Sequence, residues 1–216
     1  MENKRYSHGE ELSNTLSHGA GILLGITAGY FLLEKALANP HPHWAAGCVL
    51  VYLAGMLASY ISSTWYHGSR PGSRKELLRK FDHGAIYLHI AGTYTPFTLL
   101  VLRHAGGWGW GIFAFVWLSA IVGFILAFKK LKEHSNLETV CFVGMGSAIL
   151  VALKPLMDYL SAIGASPAFW WLIGGGASYI MGAVFYSLRK PYTHAVFHLF
   201  CLGGSIGHII AIWLIL

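Results

Sequence analysis

The chain has 216 residues, of which 55% are hydrophobic and only 11% are Asp, Glu, Lys or Arg, with a formal net charge of +6. Soluble domains have about a quarter charged residues, so this composition excludes a soluble globular domain, and the apolar content excludes a disordered chain. A membrane protein with several spans remains. Seven spans of about 20 residues fill most of the chain and leave no room for a separate soluble domain.

Uncharged apolar windows divide the chain into seven predicted spans. Six of these windows are long enough to cross a bilayer, and the fifth in chain order, residues 139–153, is shorter. We count it as a span because Lys154 and Asp158 lie four residues apart at its end and can extend to the interface. Since lipid forces a spanning backbone into a helix or a closed barrel, the prediction is an all-α integral membrane protein, a single domain of seven transmembrane helices. The spans are predicted near residues 12–33, 44–67, 82–102, 108–128, 137–157, 168–188 and 192–216.

The basic residues lie mostly on one side of this predicted bundle. Twelve of the 15 lysines and arginines precede the first span or follow the second, fourth and sixth. The positive-inside rule therefore places the N-terminus in the cytoplasm and Leu216 outside. The same asymmetry accounts for the net charge, so we expect anionic lipid headgroups as partners at the cytoplasmic face and no nucleic acid. The twelve residues are Lys4, Arg5, Arg70, Arg74, Lys75, Arg79, Lys80, Lys129, Lys130, Lys132, Arg189 and Lys190; the other three are Lys35, Arg103 and Lys154.

Three local patterns bear on how the helices pack. Gly21, Gly25 and Gly29 recur every four residues on the first span, which lets another helix approach closely. This spacing does not distinguish packing within the bundle from a homodimer interface. Pro96 is predicted to kink the third span, with neighbouring threonines available to satisfy the freed backbone groups. The basic stretch 70–80 is predicted to be a solvated loop.

Three histidines and an aspartate are predicted to meet at the cytoplasmic end of the bundle. His194 and His198 are four residues apart at the start of the seventh span, so they share one helix face. His67 closes the second span and Asp82 opens the third, and the topology places both at the same depth. Three neutral imidazoles suit a divalent metal, zinc above others, with a fourth position open to water. The alternative is a set of interfacial polar residues without a metal.

The same residues suggest a reaction. A zinc ion lowers the pKa of water that it binds to about 7, which gives a nucleophile for a carbonyl at neutral pH. Because residues 195–197 are Ala, Val and Phe, the glutamate base of the zinc-protease helix motif is missing, and Asp82 would have to accept the proton. Ser63, four residues before His67, shares its helix face and could orient a ligand or the water.

A polar stripe on the first span reaches the same end of the bundle. Glu11, Asn14 and His18 follow a spacing of three and four residues, and they either support the metal ligands or simply make the helix amphipathic. His89 lies on nearly the same face as Asp82 and could line a cavity above the metal. The sequence alone does not decide the roles of four histidines, His18, His83, His89 and His208.

Four segments carry a family resemblance across nearly the whole chain. They are Glu11-x-x-Asn14-x-x-Ser17-His18, Ser63-Thr-Trp-Tyr-His67, Phe81-Asp82-His83 with the following AIYLHIAGTYTPF, and Pro191-Tyr-Thr-His194-Ala-Val-Phe-His198. At these residues the sequence resembles the hemolysin III family, the bacterial branch related to the progestin and adipoQ receptors and, more distantly, to alkaline ceramidases. Each segment alone is weak, whereas their combination on seven spans is specific.

The resemblance implies a multi-pass protein of the bacterial cytoplasmic membrane with an intramembrane zinc ion. The family's three zinc-binding histidines fall on His67, His194 and His198, its aspartate beside the metal-bound water on Asp82, and its serine on Ser63. These assignments favour a zinc-dependent hydrolase of a lipid amide or ester. One alternative is a non-enzymatic regulator or sensor of membrane lipid homeostasis or energetics with a structural zinc; a minor one is the cytolytic pore that the family name implies.

Overall fold

The computed structural model describes residues 6–129, 136–188 and 190–216. Within these ranges, seven helical segments are long and apolar enough to cross a membrane, and none of the described residues forms a strand, which confirms the all-α, seven-span fold. Five of the basic residues used to orient the bundle, Lys4, Arg5, Lys130, Lys132 and Arg189, lie outside the described ranges. The helices are α1 (His8–Leu37), α2 (Pro42–Gly68), α3 (Ser73–Pro96), α4 (Trp108–Ala127), α5 (Asn136–Gly146), α6 (Leu153–Ala162), α7 (Ser166–Ser187) and α8 (Thr193–Ile215).

The outer surface of the bundle is apolar. On α4, for example, Phe115, Leu118 and Val122 are 56%, 64% and 56% exposed. A soluble monomer rarely exposes a contiguous apolar face of this kind, whereas hydrocarbon solvates it well. The chain is therefore a multi-pass membrane protein, and the exposed large apolar side chains of its described helices suit a lipid environment.

Helix α3 begins nine residues before the predicted span. The stretch 70–80, predicted to be a solvated loop, is helical from Ser73 onward, and Asp82 lies in the third turn of α3 rather than at its start. The prediction was wrong because the charges mark where the membrane ends and not where the helix ends. Lys, Arg, Glu and Leu are all good helix formers, so the helix continues beyond the apolar window.

The fifth span is built from two helices. α5 ends at Gly146, a 3-10 turn covers Ala148–Ala152, and α6 runs on to Ala162, five residues beyond the predicted end of this span. Lys154 and Asp158, predicted to lie at the end of the span, instead lie within α6, where they form an ion pair at 2.6 Å. The apolar residues after Asp158 extend the helix past the charged pair.

The small residues of α1 pack within the chain. A Cβ atom built on Gly21 would lie 2.5 Å from the Tyr60 ring of α2, and one built on Gly25 would lie 2.8 Å from the Leu57 side chain. Gly29 faces α2 in the same way. The spacing of four residues thus lets α1 and α2 approach closely, and a homodimer interface stays a prediction.

Substituting Gly55 with Ala is expected to destabilise the bundle, because α2 and α3 cross at this residue. A Cβ atom there would collide with the Leu88 carbonyl oxygen and lie 3.2 Å from the His89 Cα. Backbone cannot yield as a side chain can, so we expect a loss of about 1–3 kcal/mol and a lower unfolding temperature in detergent. Gly47→Ala is the control, because nothing lies within 4 Å of a Cβ at that position of α2. Equal stability of the two variants would contradict this account of the crossing.

The predicted break at Pro96 takes the form of a change in helix type. The α-helical part of α3 ends at Pro96, and a π turn follows over Phe97–Val101. Proline has no N–H to donate to the preceding turn, which favours a wider turn after it. Thr93 Oγ1 donates to the His89 carbonyl (2.9 Å) one turn before the break. π turns often occur at functional sites, and Phe97 lines the internal cavity described below.

Candidate metal centre and its cavity

The imidazoles of the three predicted metal ligands meet at one end of the bundle. His67 lies in the last turn of α2, and His194 and His198 lie in the first two turns of α8. His194 Nε2 is 3.2 Å from His67 Nε2 and 3.1 Å from His198 Nε2. One ligand nitrogen from each ring lies within 4.8 Å of the other two. This group can hold a metal ion.

The spacing of these nitrogens suits a tetrahedral metal. Nitrogens bound to zinc at about 2.0–2.1 Å in a tetrahedron are about 3.3–3.4 Å apart. The His194 Nε2 atom lies 3.2 and 3.1 Å from the other two Nε2 atoms, within a few tenths of an ångström of that value. The donor set and its geometry therefore fit the ion that the family resemblance implies.

Hydrogen bonds from α1 fix the orientation of two of the rings. His67 Nδ1 lies 2.7 Å from Glu11 Oε2, and since a carboxylate only accepts, the imidazole donates. His198 Nδ1 lies 3.2 Å from the backbone carbonyl oxygen of Asn14, so this imidazole also donates from Nδ1. A neutral imidazole that holds its proton on Nδ1 has a lone pair on Nε2. Two lone pairs thus point toward His194, an arrangement that a cation stabilises.

Residues of the polar stripe of α1 contact the histidine cluster. His67 donates to Glu11, and the His18 ring stacks on the His198 ring with centroids 3.4 Å apart. Lys75 Nζ, from the first turn of α3, donates to Glu11 Oε1 at 2.7 Å. The sequence reasoning had treated Lys75 as a loop charge and missed this contact.

Two further contacts of the cluster were also missed. Ser17 Oγ lies 3.0 Å from His198 Nδ1, and the Tyr6 ring lies against His67 and His194 at centroid distances of 5.7 and 5.2 Å. Ser17 follows Asn14 by three residues and could have been added to the stripe by its spacing. No spacing in the sequence indicates the Tyr6 contact.

A cavity of about 320 Å³ extends from the cluster into the bundle. His194, His198, Asp82 and Ser63 are among the residues that line it. Both of the latter side chains are buried, and Ser63 Oγ has no hydrogen-bond partner among the described residues. The structure thus gathers the three histidines into one group and places Asp82 and Ser63 on the lining of the adjoining cavity.

Three further membrane histidines, His83, His89 and His208, also line the cavity. His83 pairs with Glu138 at 2.9 Å and so ties α3 to α5, and His208 Nε2 donates to the Leu172 carbonyl at 3.2 Å. His89 was predicted to line a cavity, whereas the Glu138 partner of His83 is 55 residues away and has no local signature.

Comparisons with known proteins agree with the family resemblance and with the membrane fold. A sequence profile described as Haemolysin-III related matches residues 6–209. The chain is 40% identical to Hemolysin-3 of Bacillus cereus over 200 residues, which cover 91% of this chain and 87% of that protein. It is 39% identical to a Hemolysin-3 homolog of Bacillus subtilis (strain 168), over 91% of this chain and 89% of the other. It is also 29% identical to the human Monocyte to macrophage differentiation factor, over 94% and 83% of the two chains.

Proposed function

The chain belongs to the Haemolysin-III related family, and we propose that it is a zinc-dependent hydrolase of a lipid amide or ester in the bacterial cytoplasmic membrane. One observation carries the proposal: a group of three imidazole nitrogens lies where an internal cavity begins, inside a bundle whose surface faces lipid. Three histidines with room for a further ligand are typical of catalytic rather than structural zinc.

The residues around the cavity have complementary roles in this reaction. Zinc supplies Lewis acidity, which polarises a substrate carbonyl and makes water a better nucleophile. The Asp82 carboxylate takes the proton of the water that adds to the carbonyl carbon. The bond from that carbon to the amide nitrogen or ester oxygen then breaks, and Asp82 returns the proton to the leaving group. The Ser63 hydroxyl, which lacks a partner among the described residues, donates to the developing oxyanion or holds the water.

The cavity favours a lipid as the substrate. Ile86, Phe142 and Ile180 contribute to a mostly apolar wall formed by α3, α5 and α7. A pocket of this kind binds a hydrocarbon chain, and its few polar groups determine how the chain is oriented. The acyl chain would enter laterally between helices, with its carbonyl placed beside the histidine cluster.

The test is turnover by the purified full chain. Protein loaded with zinc, and the same protein after chelation, would be given a panel of N-acyl and O-acyl membrane lipids, and released fatty acid would be measured. We expect cleavage only by the loaded protein, restored when zinc is returned. Absence of cleavage across the panel, or equal cleavage after chelation, would contradict the proposal.

A structural zinc in a membrane regulator is the second candidate. The cluster joins the end of α2 to the start of α8, and α1 bonds both His67 and His198, so a metal there would tie three helices together. In that case chelation lowers the unfolding temperature, but Asp82→Asn leaves the cellular phenotype intact. Dye release from liposomes would instead support the cytolytic activity implied by the names of the relatives.

Replacing Glu11 with Ala is expected to weaken zinc binding by about 10–100-fold, the usual effect of removing a residue that orients a metal-binding histidine. Glu11 accepts the bond from His67 Nδ1 and so keeps the Nε2 lone pair directed into the cluster. Zinc dissociation constants would be measured by competition with a chelating dye. Glu10→Ala is the control. Glu10 accepts hydrogen bonds from the backbone N–H groups of Ser7 and Tyr192, and it forms none with a metal-binding histidine among the described residues. Equal affinity of the two variants would exclude the orienting role.

A further inference from the structure

A second polar cluster borders the same cavity, farther along α8 than the histidine cluster. Tyr60, from α2, and Tyr179, from α7, both contact Ser205 Oγ of α8 through their hydroxyls, each at 2.7 Å. The His89 ring lies 5.8 Å from the Tyr60 ring and 6.0 Å from the Tyr179 ring. The His208 ring lies 5.4 Å from Tyr179. We call these five residues the inner polar cluster.

Two atoms of the inner polar cluster are left without a partner. His89 Nε2 and His208 Nδ1 make no hydrogen bond to any described residue, although the two side chains are only 8% and 7% exposed. Both residues line the cavity. Because unsatisfied buried polar atoms are costly, a group in the cavity that bonds to these nitrogens would stabilise the protein.

The missing partner carries no net charge. Among the described residues that line the cavity, Asp82 is the only Asp, Glu, Lys or Arg. A carboxylate at the inner polar cluster would therefore be buried with no Lys or Arg to pair with, and an ammonium would have Asp82 as its only charged partner. A hydroxyl both donates and accepts, so it can bond an imidazole nitrogen in either tautomer.

We propose that the inner polar cluster binds a hydroxyl group in the middle of an acyl chain, and that the cavity prefers such mid-chain hydroxylated lipids. The proposal rests on the proposed function, which places the carbonyl end of the lipid beside the histidine cluster. It adds the kind of acyl chain that the lipid carries. It adds a specificity site to a cavity that would otherwise accept any hydrocarbon of suitable length.

The spacing along α8 gives the position of the hydroxyl. Ser205 and His208 follow His198 by seven and ten residues, which corresponds to about 10 and 15 Å along the helix axis. Each carbon–carbon bond is about 1.5 Å long, and in an extended hydrocarbon it adds about 1.25 Å to the length of the chain. A hydroxyl about 8–12 carbons from the carbonyl would therefore reach the inner polar cluster, next to the π turn where the Phe97 ring lies 6.5 Å from His208.

Equilibrium binding of free fatty acids tests the proposal without any need for turnover. Octadecanoic acid would be compared with its 2-, 10- and 17-hydroxy isomers on the full chain in detergent, by quenching of tryptophan fluorescence. We expect the 10-hydroxy isomer to bind about tenfold more tightly than the unsubstituted acid, the effect of one hydrogen bond to an otherwise unsatisfied buried group. The 2- and 17-hydroxy isomers should show no such gain. Equal affinity for all four acids would overturn the proposal and mean that water alone serves the two nitrogens.

Variants locate the preference within the cavity. His89→Phe keeps an aromatic ring but removes the nitrogen, so it should abolish the gain for the 10-hydroxy acid while octadecanoic acid still binds. Tyr52→Phe is the control, because its buried hydroxyl also lacks a described partner but does not line the cavity. A gain that survives both His89→Phe and His208→Phe would overturn the assignment.

The outcome separates this inference from the proposed hydrolysis. A preference for the 10-hydroxy acid in a protein that cleaves no lipid would support the inner polar cluster and contradict the hydrolase. Cleavage of lipid amides without any preference in binding would do the reverse. The comparison of isomers on the unmodified chain stands even if a variant fails to fold.

Discussion

Asp82→Asn is expected to lower kcat for lipid cleavage by about 10²–10⁴-fold, the usual contribution of a positioned base, while the protein still binds zinc. Asn keeps the size and shape of the side chain but cannot take a proton from water. Asp82 is buried on the cavity wall, outside the group of imidazole nitrogens, so its loss should leave the metal ligands in place. Zinc per chain and initial rates of fatty acid release, measured on one preparation, give both quantities.

The matched control is Asp158→Asn, which removes an aspartate whose carboxylate is 55% exposed and pairs only with Lys154 among the described contacts. It should leave kcat unchanged. An Asp82→Asn protein that retains zinc and full kcat would remove Asp82 from the mechanism. If the same substitution instead releases the zinc, Asp82 acts in assembly of the site.

The double variant His194→Ala/His198→Ala is expected to reduce bound zinc from about one ion per chain to nearly none, because a catalytic zinc site needs three protein ligands and this variant keeps one. Elemental analysis of chelator-washed protein measures the loss. Chelation should also lower the unfolding temperature of the unmodified chain, since a ligand that binds only the folded state stabilises it. The unfolding temperature of the double variant should not respond to zinc or to chelator.

A control with the same number of histidines removed is His8→Ala/His43→Ala, since both of these side chains are exposed and neither belongs to the cluster. It should bind zinc as the unmodified chain does. If the double variant of α8 retained its zinc, the metal would lie elsewhere, and the three histidines would be a polar network. If the unmodified chain bound none, the proposed hydrolase would lose its basis.

The sequence was sufficient to predict the seven spans and the meeting of three histidines at one depth. Apolar windows mark the part of a helix that lipid surrounds, and a spacing of four residues places His194 and His198 on one face. The predicted topology placed His67 at the same depth as these two histidines. The start of α3 at Ser73 was out of reach of the same reasoning, because a helix does not stop where its charges begin.

The rest of the site depends on which helices become neighbours. Lys75 reaches Glu11 across 64 positions of the chain, and Tyr60 reaches Ser205 across 145. No periodicity within one helix encodes such contacts. The cavity is likewise a property of how the helices diverge, so hydropathy gave no sign that His89 and His208 line a common space.

The order of the three ligands along the chain has a consequence for biosynthesis. His67 is made early, on α2, whereas His194 and His198 belong to α8, which follows the other described helices in the chain. The cluster therefore cannot form before α8 has been made and has entered the membrane. A chain interrupted anywhere between α2 and α8 would carry one of the three ligands and could not form the metal centre.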